Sequence, residues 1–286
     1  MRVAIGVEYD GSAYSGWQAL DHIASVQSAV EQALSRVADA PIAVVCAGRT
    51  DAGVHALAQV AHFDTAITRP PRGWVLGANT YLPPDIALLW ATEVAPDFHA
   101  RFSATARRYR YLILDRRTRS ALWHARTTFS SQPLDAAAMH AAGQALVGTH
   151  DFTSFRAAEC QAKTATRTVE WLEVRREGAL VILEVQANAF LHHMVRNFVG
   201  TLLPVGRGER DAAWVREVLA ARDRRVAGVT APPQGLYFAG VRYPEPHVVP
   251  PPREWTGSAQ PALDAAGGAG PAAPSAIMSA HEQTGG

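Results

Sequence analysis

Two cysteines in 286 residues, Cys46 and Cys160, are too few for a disulfide framework, and neither sits in a CxxC motif. A reducing cytoplasm is the natural compartment for such a chain. No run of about 18 apolar residues occurs, so no membrane-spanning helix is expected. The first residues, Met1 to Ile5, run straight into a strand-like pattern and lack the apolar core and cleavage site of a secretion signal. There is no HExxH string and no Asp/Glu cluster with ligand spacing. His192 and His193 are adjacent and cannot share one helical face, and His55, His62 and His99 are scattered. No catalytic metal is therefore expected. GxGxxG and P-loop strings are also missing, and Gly206-Arg207-Gly208 is too short to count, so no nucleotide cofactor is implied.

What is present is an ordinary globular composition, 48% apolar and 19% charged, long enough for one large domain or two modest ones. The net charge of +1 hides an asymmetry. Residues 101–126 carry eight arginines (Arg101, Arg107, Arg108, Arg110, Arg116, Arg117, Arg119, Arg126) against Asp115 alone. Phe102, Tyr109, Tyr111 and Trp123 are interleaved with them. A basic, aromatic stretch of this kind suits a polyanion such as nucleic acid. A solvated basic strand face would read the same way.

Hydrophobic periodicity lays out the elements. Residues 3–9 read as a strand, and Asp10-Gly11 as a turn. Val26, Ala29, Val30, Ala33, Leu34 and Val37 recur at helical spacing behind Ser25, a plausible N-cap. Strands are expected at 42–47, 57–64 and 85–94, with a second helix at 72–80 after Pro70-Pro71. The order β-α-β-β-α-β is the split βαβ, or ferredoxin-like, arrangement, with an antiparallel sheet and both helices on one face. The second half repeats it. Strands are expected at 108–115, 166–176, 179–187 and 236–243, the middle pair joined at Glu177-Gly178. Helices are expected at 134–147, at 190–203 ended by Pro204, and at 211–222. The chain thus reads as α/β, more closely α+β, with two ferredoxin-like subdomains, 1–104 and 105–243, flanking a central cleft. Residues 244–286, rich in Pro, Ala and Gly, read as a disordered tail.

Between the second and third strands lies Gly48-Arg49-Thr50-Asp51-Ala52-Gly53-Val54-His55-Ala56. Gly48 and Gly53 permit φ > 0 or a close ligand approach. A guanidinium near Asp51 favours the ionised carboxylate, which can serve as nucleophile or base. A surface turn held by a local ion pair is the plainer reading of the spacing alone. The string, however, resembles the signature of the tRNA pseudouridine synthase A family. Residues 8–18 (EYDGSAYSGWQ), 99–111 (HARFSATARRYRY), 148–156 (GTHDFTSFR), 187–200 (ANAFLHHMVRNFVG) and 235–238 (GLYF) resemble further motifs of that family, in order. The likeness covers residue 3 to about 243.

The resemblance implies isomerisation of uridine to pseudouridine in the anticodon stem-loop of tRNA, at tRNA positions 38, 39 and 40, without a cofactor. It makes Asp51 the catalytic residue. Whether Asp51 attacks the sugar, attacks the ring or abstracts a proton stays open. It places Tyr109 over the target base, although Tyr111 has the same strand parity. It pairs Arg196 with Asp51, gives Arg49 the space left by a flipped base, and makes Leu236 a wall of the uracil pocket; a plain core leucine is nearly as good a reading of Leu236. Arg69, Arg101, Arg107, Arg108, Arg110 and Arg117 are the candidates for phosphate contact. A homodimer that shares the tRNA across its interface is also implied. Two other classes remain to be separated from this one. A non-catalytic RNA-binding module would tolerate Asp51→Asn. A glycoside or nucleoside hydrolase would need a second carboxylate, for which Asp10 is the nearest candidate.

Overall fold

The computed structural model describes residues 1–19, 22–247 and 249–251. Its first half runs β1 (Arg2–Tyr9), α1 (Val26–Ala38), β2 (Val45–Cys46), β3 (His55–Asp64), α2 (Pro71–Tyr81) and β4 (Ile86–Val94). In the sheet, β1 lies between β4 and β3, and β2 pairs with β3, every pair antiparallel. That is the strand order of a ferredoxin-like unit. Ser25 caps α1, its Oγ accepting the amide of Ser28, and Pro71 opens α2, where a missing N–H costs nothing. The two helices touch closely at Gly77 and Val37. They share one core with Ile5, Leu34, Phe63 and Trp74.

The second half runs β5 (Ala106–Asp115), β6 (Thr128–Ser130), α3 (Ala136–Gly143), β7 (Gly148–Asp151), β8 (Thr166–Glu177), β9 (Leu180–Ala187), α4 (Met194–Gly206), α5 (Ala213–Ala221) and β10 (Leu236–Arg242). The order β10-β5-β9-β8 repeats that of β4-β1-β3-β2, with β7 added at the edge and β6 beside β5. Tyr111, Ile113, Phe152, Phe155 and Phe198 fill a second core. The halves meet where β10 runs parallel to β3, through Tyr237 opposite His55 and Phe238 opposite Ala56. A single ten-stranded mixed sheet results.

Several elements differ from the expectation, each for a local reason. The second strand is expected over 42–47 but pairs only at Val45–Cys46. Side chains of α1 take the amides it would need: Ser35 Oγ accepts from Ile42 and Glu31 Oε1 from Val44. The helix expected from 134 begins at Ala136, capped by Asp135, and gives way to a 3-10 turn at Gln144–Leu146. The helix expected from 190 begins only at Met194, because His193 takes φ 61. Pro204 lies inside its last turn rather than ending it. The amides of Gly208 and Glu209 fold back onto the carbonyls of Val205 and Pro204, which closes the helix two residues later. Beyond β10 the chain stays packed: the His247 ring stands edge-on to Phe98 and Val249 lies against the first core. The rest of the expected tail, 252–286, lies outside the described residues.

Candidate active site

The loop from Gly48 to Val54 leaves β2 and enters β3, and its shape is set by groups that are not part of it. Gln59, fully buried on β3, donates to the carbonyl of Gly48 at 2.6 Å. The amide of Trp17 donates to the carbonyl of Thr50, and the amide of Gly53 to that of Tyr14. The Thr50 hydroxyl is bonded to Tyr9 at 2.8 Å in a buried contact. The 8–18 segment is therefore a brace for the loop. Gly53 sits at φ +75, the left-handed region. Gly48 is there for closeness: a Cβ would stand 2.8 Å from the Phe238 ring.

So held, Asp51 presents its carboxylate to the turn before α4. Oδ1 lies 3.3 Å from His192 Nε2, and Oδ2 lies 3.3 Å from His193 Nε2 and 3.6 Å from an Arg196 nitrogen. Arg196 is anchored from behind, its Nε donating to the carbonyl of Ala231 at 2.8 Å. The two imidazoles are tilted against each other with centroids 4.0 Å apart. Burial lowers the His193 pKa; the Asp51 charge opposes this, while Arg196 and His192 add to it. The three ligand-type atoms of Asp51, His192 and His193 lie within 4.8 Å of one another, close enough to hold one metal ion. This corrects the sequence argument against the histidine pair. Neighbouring residues on a helix diverge, but these two precede the helix, and the left-handed His193 turns both rings to one side.

A cavity of about 130 Å³ opens in front of the carboxylate. Arg49, Asp51, Tyr109, His192, His193 and Leu236 are among its walls. Tyr109 comes from β5, its ring edge-on between Phe190 and Phe238. Burial pushes its phenol pKa up, and the Asp51 charge adds to this. Tyr111, of the same parity, is fully buried and gives its hydroxyl to the carbonyl of Pro232, outside the cavity. Leu236, the first residue of β10, is 6% exposed and serves as wall and core at once. Arg49 is exposed and does not pair with Asp51, so the loop is no ion-paired surface turn. Among the described residues, Asp51 is the one carboxylate lining the cavity. Asp10 is instead committed to Ser12 and Arg126.

A second cavity of about 430 Å³ adjoins the first, sharing Arg49, Tyr109 and Phe190 and adding Arg101, Phe102 and Arg107. The arginines expected to meet phosphate divide here. Arg69, Arg101 and Arg117 are exposed, and Arg108 is half-buried. Arg107 is turned inward and donates to the carbonyls of Ala104, Asn188 and Ala47. Arg110 is 8% exposed and held by Glu184, which Arg175 also grips. The structure brings Asp51, Tyr109, Arg196, Arg49 and Leu236 together and sets Arg110 apart. The roles of His192, His193, Thr50 and Gln59 carry no spacing signal in the sequence. They emerge only when the loop, the turn before α4 and the buried amide of β3 are brought together.

The family model described as "tRNA pseudouridine synthase" matches residues 5–103 and 142–244. The chain is 59% identical over 245 residues to the tRNA pseudouridine synthase A of Methylococcus capsulatus, covering 86% of this chain and 90% of that one. It is 58% identical over 246 residues to the protein of that name from Xanthomonas euvesicatoria, covering 85% and 96%. It is 55% identical over 250 residues to that from Pseudoalteromonas atlantica, covering 87% and 95%.

Proposed function

The chain belongs to the tRNA pseudouridine synthase family, and from that premise we infer an isomerase of uridine to pseudouridine in tRNA with Asp51 as its catalytic carboxylate. The observation that carries the assignment to Asp51 is its solitude: one carboxylate in a small cavity whose walls include two aromatic rings, two leucines, Arg49, His192 and His193. A hydrolytic glycosidase usually uses a second carboxyl to activate water or protonate the leaving group. An isomerase that returns the base to the sugar must keep water out, and one carboxylate suits that need.

On this reading the target uridine leaves its stack and enters the 130 Å³ cavity. Tyr109 and Leu236 bound the uracil, Arg196 positions Asp51, and Arg49 at the cavity mouth occupies the gap in the RNA. The larger cavity, with Arg101 and Arg107 in its wall, tracks the adjoining backbone. The tRNA is presented by its anticodon arm, at positions 38 to 40. A tRNA outreaches one chain's cleft, which favours a homodimer that shares it. The working compartment is the cytoplasm.

The test uses unmodified tRNA tritiated at uridine C5, because forming the C5–C1′ bond expels that hydrogen to water. Wild type should release tritium, and Asp51→Ala should release none while still binding the tRNA. Retained release by Asp51→Ala would remove Asp51 from the chemistry. Binding without any release by wild type would leave an RNA-binding module.

A further inference from the structure

The carboxylate that would meet the uridine also completes a set of metal ligands. We propose that Asp51, His192 and His193 form a reversible site for a borderline-soft divalent cation such as Zn²⁺, and that the bound ion excludes the uridine. Zinc binds His nitrogen and carboxylate oxygen at about 2.0–2.1 Å, and a tetrahedron of that size sets neighbouring ligand atoms roughly 3.3 Å apart. Both Asp51 oxygen to Nε2 separations are 3.3 Å. Those distances run to two different oxygens, Oδ1 for His192 and Oδ2 for His193; each matches one ligand-to-ligand edge, and each is long for a charge-assisted hydrogen bond, whose usual range is roughly 2.7–2.9 Å. Three protein ligands leave a fourth position for water, and all three residues line the 130 Å³ cavity.

The surroundings favour a reversible ligand over a resident one. A single carboxylate supplies the only negative charge among the three ligands, and the Arg196 guanidinium stands 3.6 Å from one of its oxygens. The chemistry also selects the ion. Mg²⁺ prefers six oxygen ligands and holds its waters, so two imidazoles serve it poorly. Other histidines compete weakly. His62 and His99 adjoin each other, but among the described residues no third His, Cys, Asp or Glu ligand atom joins them within 4.8 Å.

The inhibitory half of the proposal rests on the isomerase reading; the binding half does not, so binding is measured first and without RNA. Zn²⁺ is titrated into the full chain in competition with a chromophoric chelator, and Co²⁺ binding is followed by visible absorption. One ion per chain is expected. Binding should be lost in Asp51→Asn and roughly tenfold or more weaker in His192→Ala and His193→Ala. It should persist in Cys160→Ser, the control for a nearby thiol that accepts the His192 amide. Zinc should raise the unfolding temperature of wild type and leave that of Asp51→Asn unchanged. Equal binding by wild type and Asp51→Asn, or loss in Cys160→Ser alone, overturns the site. Tritium release should fall with buffered free zinc and return with chelator, unaffected by Mg²⁺. Release that continues on zinc-saturated enzyme overturns the exclusion of uridine. Absence of release with and without zinc, at an ion-binding chain, counts against the isomerase reading and leaves the site standing.

Discussion

His62 is 4% exposed, its Nδ1 accepts the amide of Ala100, and its ring stands edge-on to Phe98. Burial, with Arg2 and His99 adding repulsion and Asp64 opposing it, pushes its pKa from the ordinary 6.5 down to about 4. The unfolded chain therefore binds a proton that the folded chain refuses, and stability falls as pH drops through that interval. The loss should be on the order of 3 kcal/mol, read from urea midpoints, and His62→Gln should flatten the decline. Tyr109 makes a second case. Tyr109→Ala removes the ring between Phe190 and Phe238 and should cut the initial rate of tritium release more than tenfold, whereas Tyr109→Phe keeps the stacking surface. An unchanged rate with Tyr109→Ala would take it out of the site. Asp51, Arg49 and Tyr109 were legible in the sequence because a motif names them. His192 and His193 were not, because their convergence depends on one left-handed residue, and nothing in a string of letters marks φ 61 at a histidine.

The strand β5 carries arginines of opposite fate two residues apart on one face, Arg108 and Arg110. Arg110 meets Glu184 in the interior, so Arg110→Ala should destabilise the fold by about 3 kcal/mol and leave the salt dependence of tRNA binding nearly unchanged. Arg108, partly open to solvent, and the exposed Arg101 should behave inversely. Their alanine variants should each lower the salt slope by about one, with little change in unfolding midpoint. Helix α4 offers a packing test. A Cβ on Gly200 would stand 1.8 Å from the carbonyl oxygen of Val229. Gly200→Ala should therefore push away the 229–231 segment, whose Ala231 carbonyl anchors Arg196. A cost of roughly 1–3 kcal/mol in thermal unfolding, with a lower turnover, is the expected result. Elements were most legible where side-chain period and backbone capping agree, as in α1 behind Ser25. They were least legible where a distant group intervenes. No local pattern at Ile42 and Val44 says that Ser35 and Glu31 will take their amides.

Across the whole molecule, His55 is the tie between halves. It is 2% exposed, its Nδ1 accepts the amide of Gly11, and its Nε2 lies 3.0 Å from the carbonyl of Ala125 and 3.2 Å from that of Gln234. Asp10 stands 3.2 Å from the same Nδ1, but that nitrogen is already an acceptor and burial lowers the ring's pKa, so the contact is not an ion pair. The ring also stacks on Tyr237, with centroids 4.7 Å apart. His55→Ala should cost about 3 kcal/mol and speed hydrogen exchange in β3 and β10 together. The pairing that His55 braces joins the strand that follows the Asp51 loop to the strand that begins at the Leu236 wall. The floor and one side of the cavity are therefore stitched by main-chain hydrogen bonds. Closing the halves around a substrate like jaws would shear that seam. On the proposed assignment of Asp51, this seam makes the protein a fixed die, and the deformation needed to bring a uridine to that carboxylate falls on the RNA.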